Sequence, residues 1–548
     1  MVGTDATSFP AYEPTAPNLI RWCADTWGDE TFAVLGGKRL SYRDAEVRSA
    51  ALAKGLLASG IGKGAHVALL APNSPEWIIG WLAITRIGGV AVLLNTYSKA
   101  RELGWLLRHS DSHALLTVDA YLGHDYLARL EDAVAGLAAS EAPLLLEGAP
   151  FLRSIWTWGE GERAWARPVD GIDGLVEAGA GIGDPLLAAA EAEVSPADPM
   201  VVVYSSGSTA DPKGAVHAHG AVVRHAHNLW PMRDLHEGDV LYTPMPLFWV
   251  GGFSFTLVGA MHAGAAVVFD AGFEPGTTLE LIERERVTHV LGWPHLAKAL
   301  ADHPTFADRD LSAVRYGKVL MHLPNAEELG ALEPVPNSLG MTETLGPHTY
   351  APHEPLPPGK EGSFGFSVPG VEHRIVDPVT GDDLPVGETG EVWVRGYSLM
   401  LGLHRRERAD TFTADGWYRT GDGGYFDADG HFYYTGRLGD QIKTSGMNVT
   451  PRDVELALEA LPEVVLAYVC GVDHPHRGQD VVAAIALSPG TELSEDEARV
   501  RVKEELSSYM VPRHIAVFAD QTQLPWLDSG KVDRRRLTAI LEAQFRED

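Results

Sequence analysis

Residues 204–214 read YSSGSTADPKG and directly follow residues 199–203, PMVVV, an apolar run typical of a buried strand. Glycine adopts φ > 0 conformations that turn backbone N–H groups inward, and successive inward N–H groups bind anions. The hydroxyl groups add donors, and Lys213 adds a positive charge. Because Gly214 follows Lys213, the pattern differs from the P-loop. We predict a phosphate-binding loop formed by Ser205, Ser206, Gly207, Ser208, Thr209 and Lys213.

Strand-like and helix-like segments alternate on both sides of this loop. Strands are predicted at residues 66–71, 91–94, 113–118, 199–203, 267–269 and 289–292, and helices at 40–59, 74–87, 126–139, 216–230 and 277–286. Such alternation favours parallel sheets covered by helices. Residues 143–194 are weakly patterned and predict a connecting segment with one or two surface elements.

The pattern changes after residue 363. Short alternating runs at residues 371–376 and 390–395 are separated by Asp/Gly turns, which predicts a small β-structure. The remaining chain has the size of a separate small domain. We therefore predict an α/β protein whose large N-terminal domain, residues 1–438, combines parallel β/α subdomains with a small β-structure. Residues 439–548 are predicted to form a smaller α+β domain.

The composition excludes several classes of protein. There are 44 Lys and Arg against 74 Asp and Glu, for a net charge of −30, which disfavours nucleic acids and anionic membranes as partners. The two cysteines, Cys23 and Cys470, are too few for a disulfide framework or a zinc site. The N-terminus lacks the features of a secretory signal, and no apolar run is long enough to span a membrane. We expect a cytoplasmic protein.

Further motifs carry side chains suited to chemistry. Residues 337–344, NSLGMTET, place a hydroxyl beside Glu343, an oxygen ligand of the kind that Mg²⁺ takes. Residues 417–422, WYRTGD, end on Asp422, which can accept hydrogen bonds from a ribose diol. Residues 436–455, GRLGDQIKTSGMNVTPRDVE, contain Arg437, and residues 524–534, LPWLDSGKVDR, present Lys531 from a turn. Taken alone, each motif also fits an ordinary turn or a surface ion pair.

In this order and spacing, the motifs resemble the superfamily of adenylate-forming enzymes. That superfamily contains acyl-CoA synthetases, aryl-CoA ligases, beetle luciferases and the adenylation domains of peptide synthetases. The resemblance covers nearly the whole chain, from residues 40–56, LSYRDAEVRSAALAKGL, to the final lysine loop. It implies that Mg·ATP activates a carboxylate to an acyl-adenylate, with release of pyrophosphate, and that a thiol, commonly that of coenzyme A, then takes the acyl group. The expected cofactors are ATP, Mg²⁺ and coenzyme A.

The resemblance also implies a role for each motif. Residues 205–213 would hold the β- and γ-phosphates, Thr342 would contact the α-phosphate, and Glu343 would bind Mg²⁺. Asp422 would bind the ribose hydroxyls with the help of Arg437. Lys531 would bridge the attacking carboxylate and the α-phosphate, where charge neutralisation stabilises the transition state.

A hinge and a thiol tunnel are implied as well. The hinge position of the family falls at Gly439, where glycine accepts large φ/ψ changes without steric cost. Lys443 and its neighbours up to Asn448, with Gly446 among them, would line the thiol tunnel when the small domain rotates.

The chain departs from the common family pattern at three positions. Ala210 replaces a glycine that often follows the loop threonine, and alanine is strained there if φ > 0 is required. Leu339 stands where an aromatic residue often precedes the glycine of the Thr-Glu motif, and Trp249 stands where histidine is frequent. These departures concern substrate size and rate more than reaction type.

The acyl pocket is expected within residues 249–255, 292–295 and 338–348. Its predicted lining comprises Trp249, Phe253, Trp293, Ser338, Leu339, Gly340, Met341 and Leu345. Residues 248–255 offer no acid, whereas amino-acid adenylation domains commonly use an aspartate there to hold the α-amine. A hydrophobic carboxylic acid is therefore favoured over an amino acid, and fatty, aryl and polycyclic acids all remain open.

Four functions compete at this point. An acyl-CoA synthetase is favoured, and an acyl-AMP ligase that delivers to the phosphopantetheine thiol of a carrier protein is the main alternative. A luciferase-like oxidative enzyme has little specific support. A non-enzymatic nucleotide-binding descendant is disfavoured by the intact motif residues. A homodimer is common in the family.

Overall fold

The computed structural model describes residues 8–166, 171–205, 212–292, 294–329, 331, 337–351, 354–440, 442–444, 447–474, 478–506, 509–527 and 532–545. Residues 294–295, 440 and 447–448 are described for the backbone alone. The described residues fall into two compact units. The first lies within residues 1–372 and 395–418, and the second within residues 373–394 and 419–548.

The described α-helices are numbered in chain order. They are α1 Ala16–Thr26, α2 Tyr42–Ala58, α3 Pro75–Arg86, α4 Ala100–His109, α5 Tyr126–Ala133, α6 Gly171–Ala178, α7 Asp184–Ala192, α8 His219–Leu229, α9 Gly259–Ala263, α10 Pro275–Arg284, α11 Pro294–Ala301, α12 Pro451–Glu459, α13 Glu495–Val502 and α14 Arg534–Phe545. Residues Gly251–Val258 form a π-helix, and short 3₁₀ turns include Trp230–Arg233, Thr342–Thr344 and Leu438–Asp440.

The described strands are numbered in the same way. They are β1 Thr31–Leu35, β2 Lys38–Ser41, β3 His66–Leu70, β4 Val90–Leu93, β5 Ala114–Val118, β6 Ala120–Tyr121, β7 His124–Asp125, β8 Ser154–Trp158, β9 Pro199–Ser205, β10 Lys213–Ala218, β11 Val240–Tyr242, β12 Ala266–Phe269, β13 His289–Val290, β14 Gly340–Met341, β15 Gly346–Pro347, β16 Thr349–Tyr350, β17 Phe366–Ser367, β18 Val371–Val376, β19 Gly390–Gly396, β20 Gly402–Leu403, β21 Tyr418–Phe426, β22 Phe432–Arg437, β23 Ile442–Thr444, β24 Met447–Val449, β25 Val464–His474, β26 Gly478–Leu487 and β27 His514–Phe518.

The first unit is built on two largely parallel sheets. One has the order β13-β11-β12-β1-β2, in which β2 is the antiparallel edge strand. The other has the order β20-β10-β9-β4-β3-β5-β8, and its strands from β9 to β8 run parallel. The predicted α/β fold class is thereby confirmed for this unit.

Helix boundaries in the first unit follow local capping signals. Ser41 and Asp44 form a reciprocal capping box at the start of α2. The hydroxyl of Ser74 accepts a hydrogen bond from the Trp77 N–H, and proline follows as the first residue of α3. All residues of α3 except Glu76 are buried, as expected for an apolar helix within a core. Fully buried Trp77 and Trp81 therefore belong to the main core of this unit.

The second unit contains two sheets. A four-stranded sheet has the order β18-β19-β21-β22, and a larger one has the order β24-β23-β26-β25 with β27 parallel to β26. Apolar side chains cover both faces of the long β25–β26 ladder, with α12 and α13 on one face and α14 on the other. Within this unit, the larger sheet and its helices have the α+β character predicted for the C-terminal part.

Several segments differ from the prediction. The helix predicted at residues 126–139 ends at Ala133, and the one predicted at 40–59 begins at Tyr42, after β2. Two further differences concern the central sheet. The helix predicted at residues 216–230 begins at His219, because residues 216–218 complete β10 and pair with β9. The weakly patterned segment 143–194 contributes β8, which pairs with β5 and has a buried centre, in addition to α6 and α7. It is thus part of a central sheet and not merely a surface connection.

The compact units also differ from the predicted domains 1–438 and 439–548. Residues 373–394 and 419–438 group with the C-terminal part, because they form a sheet within the second unit. The predicted boundary at Gly439 marks the hinge about which the C-terminal part would rotate. It stays a prediction. Among the described helices, none combines the length and apolarity needed to cross a bilayer.

Candidate active site

The predicted phosphate loop is bounded by a hairpin in the first unit. Strands β9 and β10 pair antiparallel up to Ser205 and Lys213, which face each other across the ladder. A Cβ atom added to Gly214 would lie 2.9 Å from Val202 Cγ1 and 3.1 Å from the Tyr204 ring. Glycine therefore lets the ring of Tyr204 pack across the hairpin. The loop residues Ser206, Gly207, Ser208, Thr209 and Ala210 lie outside the described residues.

The Thr342–Thr344 turn is attached to this hairpin through a histidine. His217, in β10, lies four residues after Lys213, and its Nε2–H donates to the carbonyl of Thr342 over 2.8 Å. The carbonyl of Glu343 accepts a hydrogen bond of 2.9 Å from the N–H of Met400. These bonds fix the backbone that presents the Thr342 and Glu343 side chains.

The turn closes with an unusual backbone. Leu345 has φ 62° and Gly346 has φ 108°, and the Thr344 hydroxyl donates to the Gly346 carbonyl over 2.8 Å. A positive φ is uncommon for leucine, and the surrounding contacts must hold it there. The side chain of Leu345 is fully buried in the main core, which supplies such contacts.

His217 is neutral in this setting. It has no solvent exposure, and burial lowers its pKa to about 4. A neutral imidazole with its proton on Nε2 satisfies the Thr342 carbonyl. Its Nδ1 atom has no hydrogen-bond partner in the described part of the chain. His217 was not identified from the sequence, although the two-residue alternation along β10 puts it on the same face as Lys213.

The three side chains assigned to phosphates and metal are available for ligands. Lys213, Thr342 and Glu343 are each partly exposed. Within the described ranges, the Lys213 ammonium and the Glu343 carboxylate form no ion pair. Glu343 is thus a free hard-oxygen donor, which fits Mg²⁺, because this ion is usually bound by one or two carboxylates together with phosphates and waters. No group of three or more metal-binding side chains occurs among the described residues.

The predicted ribose site lies in the second unit. Asp422 of β21 pairs with Arg437 of β22, and Arg437 Nε lies 2.9 Å from Asp422 Oδ1. A further bond of 2.8 Å joins Arg437 to the Thr420 carbonyl, and the side chain of Asp422 is 4% exposed. The structure therefore brings these two predicted residues together.

The predicted hinge and tunnel residues also belong to the second unit. Gly439 lies in the 3₁₀ turn Leu438–Asp440, outside the left-handed region, and a Cβ added to it meets nothing within 4 Å. Lys443 is exposed on β23, and its N–H donates to Gln479 Oε1 over 3.0 Å. Gly446 and Lys531 lie outside the described residues. The hinge and the tunnel stay predictions.

The predicted acyl-pocket residues are not equally exposed. Phe253 is fully buried, with its ring 5.0 Å from that of Trp81, and Leu345 is also in the core. Trp249 is partly exposed and contacts Phe248 edge-to-face. Ser338, Leu339 and Met341 are half-buried, Gly340 is exposed, and Trp293 lies outside the described residues. The π-helix that follows Trp249 was not predicted, because its apolar run carries no periodic signal of its own.

Comparisons with known proteins identify families and relatives that this chain resembles. A family model described as AMP-binding enzyme matches residues 20–404, and one described as AMP-binding enzyme C-terminal domain matches residues 453–531. YngI of Bacillus subtilis (strain 168) is 30% identical over 537 residues, covering 95% of this chain and 96% of that protein. A feruloyl-CoA synthase of Amycolatopsis sp is 30% identical over 513 residues, covering 91% and 93% respectively.

Two solved structures share the fold. The anthranilate CoA ligase AuaEII, in complex with anthranoyl-AMP, superposes with a TM-score of 0.80 at 23% identity, covering 99% of this chain and all of that one. The amide bond synthetase McbA from Marinactinospora thermotolerans superposes with a TM-score of 0.77 at 27% identity, covering 96% and 99%. The architecture described above is therefore that of adenylate-forming enzymes.

Proposed function

The chain belongs to the AMP-binding enzyme family and is an acyl-CoA synthetase, and on that premise we propose that its substrate is a hydrophobic carboxylic acid. The enzyme activates a carboxylic acid with ATP, releases pyrophosphate, and transfers the acyl group from the adenylate to coenzyme A. The proposal adds the acid class and the residues that bind each substrate.

In the first step, a carboxylate oxygen attacks the α-phosphorus of ATP and the bond to pyrophosphate breaks. We assign the β- and γ-phosphates to Lys213 and the loop before it, and the α-phosphate to Thr342. Glu343 would hold Mg²⁺, which supplies positive charge to the phosphates when bound. Lys531 would stabilise the charge that develops between the carboxylate and the α-phosphate.

In the second step, the thiol of coenzyme A attacks the acyl carbonyl and AMP leaves. Asp422 and Arg437 would hold the ribose during both steps, and Lys443 and Gly446 would contact the incoming thiol arm. Rotation about Gly439 between the steps is part of the proposal.

One observation carries the assignment of the nucleotide residues. The His217–Thr342 hydrogen bond joins the turn that presents Thr342 and Glu343 to the strand that begins with Lys213. This buried contact supports the assignment, because it holds the turn that presents Thr342 and Glu343 against the strand that begins with Lys213.

The acid class is supported by the apolar character of the predicted pocket residues and by the absence of an acidic residue in the segment 248–255. The feruloyl-CoA synthase is named for an aromatic acid. The use of ATP and coenzyme A, together with two free buried cysteines, supports the proposed cytoplasmic location. A homodimer stays a prediction.

The proposal is tested by measuring pyrophosphate release with Mg·ATP across fatty, aryl and polycyclic acids, with and without coenzyme A, and by identifying the products by mass. Glu343→Gln keeps the side-chain size and removes the charge, so it serves as the inactive control. Acid-dependent pyrophosphate together with acyl-CoA supports the proposal and names the acid class. Acyl-adenylate that persists despite coenzyme A favours a carrier-protein thiol as acceptor. A preference for amino acids or short polar acids contradicts the proposed acid class.

A further inference from the structure

Arg233 is a buried cation in the first unit. It ends the 3₁₀ turn Trp230–Arg233, and 5% of its surface is exposed. Its guanidinium forms no ion pair with any side chain in the described ranges. The acids that follow it in sequence, Asp234 and Asp239, both pair with Arg315 instead.

The described hydrogen bonds of the Arg233 guanidinium use a single nitrogen. Its Nη1 donates to the Phe255 carbonyl and to the Thr256 hydroxyl, each over 3.2 Å. The guanidinium carbon lies 3.5 Å from the centre of the Phe255 ring. For the part of the chain that is described, the donors on Nε and Nη2 have no hydrogen-bond partner.

The buried guanidinium of Arg233 needs nearby groups that offset its lost hydration. Burial lowers the pKa of Arg233 to about 10, so the side chain is still charged at neutral pH. Among the described residues no carboxylate raises its pKa, and the phenol of Tyr316, whose own pKa is raised by burial, carries no charge at neutral pH. Its Nε and Nη2 atoms are not fully enclosed, but a mostly buried guanidinium is unfavourable unless anions or several acceptors surround it. The ring of Phe255 and two oxygen acceptors cover part of that need.

Arg233 contacts the segment of the chain in which part of the acyl pocket is predicted. Both hydrogen-bond partners of its guanidinium lie in the π-helix Gly251–Val258, which begins two residues after Trp249 and contains Phe253. π-Helical turns are frequent at functional sites. Phe255 and Tyr316 are partly exposed, so the surroundings of Arg233 are not sealed by packed side chains.

We propose that Arg233 is a specificity-determining residue that binds an oxygen acceptor on the acid, remote from the carboxylate that is activated. This inference rests on the proposed function. The preferred substrate is then an apolar skeleton whose far end carries a carboxylate or a carbonyl oxygen. Arginine matches both groups, because its donors are planar and permanently charged.

The test compares substrates that differ only in that acceptor. One series pairs straight-chain monocarboxylic acids with dicarboxylic acids of equal length, from adipic to dodecanedioic acid. A second compares p-ethylcinnamic, p-acetylcinnamic and p-carboxycinnamic acids. For each acid, kcat/KM for acyl-CoA formation is measured with the unmodified enzyme, Arg233→Met and Arg233→Lys. Arg284→Met, on an exposed side chain of the same unit, is the control.

For at least one pair, we expect the unmodified enzyme to prefer the acid with the acceptor by about tenfold or more, because a site built to bind an oxygen discriminates against analogues that lack it. Arg233→Met abolishes this preference, Arg233→Lys retains part of it, and Arg284→Met leaves it unchanged. Comparison of the acids that carry a second carboxylate with p-acetylcinnamic acid shows whether a carboxylate or a carbonyl oxygen is bound.

Two results overturn the inference. In one, no acceptor is preferred by the unmodified enzyme at any length. In the other, Arg233→Met lowers kcat/KM equally for both members of every pair, which is the result of a purely structural role in holding the π-helix. If no acid in either series, and no polycyclic acid, yields acyl-CoA with the unmodified enzyme, then it is the proposed function that fails.

Discussion

At the scale of single residues, the turn that presents Thr342 and Glu343 depends on one buried histidine. Sequence motifs identified Thr342, Glu343 and Lys213 as functional, because their residue types and order match a known pattern. They could not identify His217, whose partner lies 125 residues away along the chain. A contact of this kind depends on how distant segments meet, and no local pattern encodes it.

His217→Ala is expected to lower kcat for acid-dependent pyrophosphate release by about tenfold or more, since it removes the donor to the Thr342 carbonyl and leaves a cavity beneath the turn. His217→Gln retains a donor and should recover part of the rate. Steady-state pyrophosphate release measures both. The exposed His124→Ala in the same unit is the control, and equal activity of all four proteins would contradict the role of His217.

At the scale of elements, the hairpin β9–β10 was predicted only in part from local sequence pattern. The apolar run before the loop was correctly predicted as a strand. Residues 216–218 were assigned to a helix, because their spacing suits a helix as well as a strand, and pairing with β9 decided the outcome. Strand β8 was missed for a similar reason, since its partner β5 lies far away in sequence.

The hairpin also yields a prediction about packing. Gly214→Ala is expected to destabilise the enzyme by about 1–3 kcal/mol, because the added Cβ would crowd Val202 and the Tyr204 ring. ATP-dependent activity should also fall, since the loop begins beside this contact. Gly402→Ala, on neighbouring β20, is a matched control because its added Cβ meets nothing within 4 Å. Denaturant unfolding and pyrophosphate release measure the two effects. Equal stability of the two variants would argue against a packing role for Gly214.

At the scale of the whole molecule, the fold class, the family and the enzyme class were predicted correctly from the sequence. The motifs carry this information because they are short, ordered and tied to chemistry. The grouping of residues 373–394 with the C-terminal part was not predicted, because it arises from pairing within the sheet β18-β19-β21-β22. The hinge at Gly439 stays a prediction.

Buried histidines make global stability depend on pH. Burial lowers the pKa of His217 to about 4 and those of His225 and His262 to about 3, against about 6.5 in an unfolded chain. Between these pKa values the unfolded state binds more protons than the folded state. The free energy of unfolding therefore decreases as the pH falls below 6.5. Each histidine should contribute a loss of roughly 2 kcal/mol by pH 5.

Urea unfolding at pH 7.5, 6 and 5 measures this dependence. His262→Gln removes one of the titrating groups and should reduce the slope of unfolding free energy against pH, whatever it does to stability at neutral pH. A free energy of unfolding that is constant from pH 7.5 to 5, or a slope that His262→Gln leaves unchanged, would count against neutral buried histidines.

The central claim is that this enzyme joins a carboxylate oxygen to the α-phosphate of ATP before it forms the thioester. It is tested most directly with an acid whose carboxylate oxygens are labelled with ¹⁸O, together with Mg·ATP and coenzyme A, by analysing the nucleotide product by mass. We expect AMP that carries one labelled oxygen, equimolar with acyl-CoA. Unlabelled AMP, or ADP and phosphate in its place, would contradict the claim.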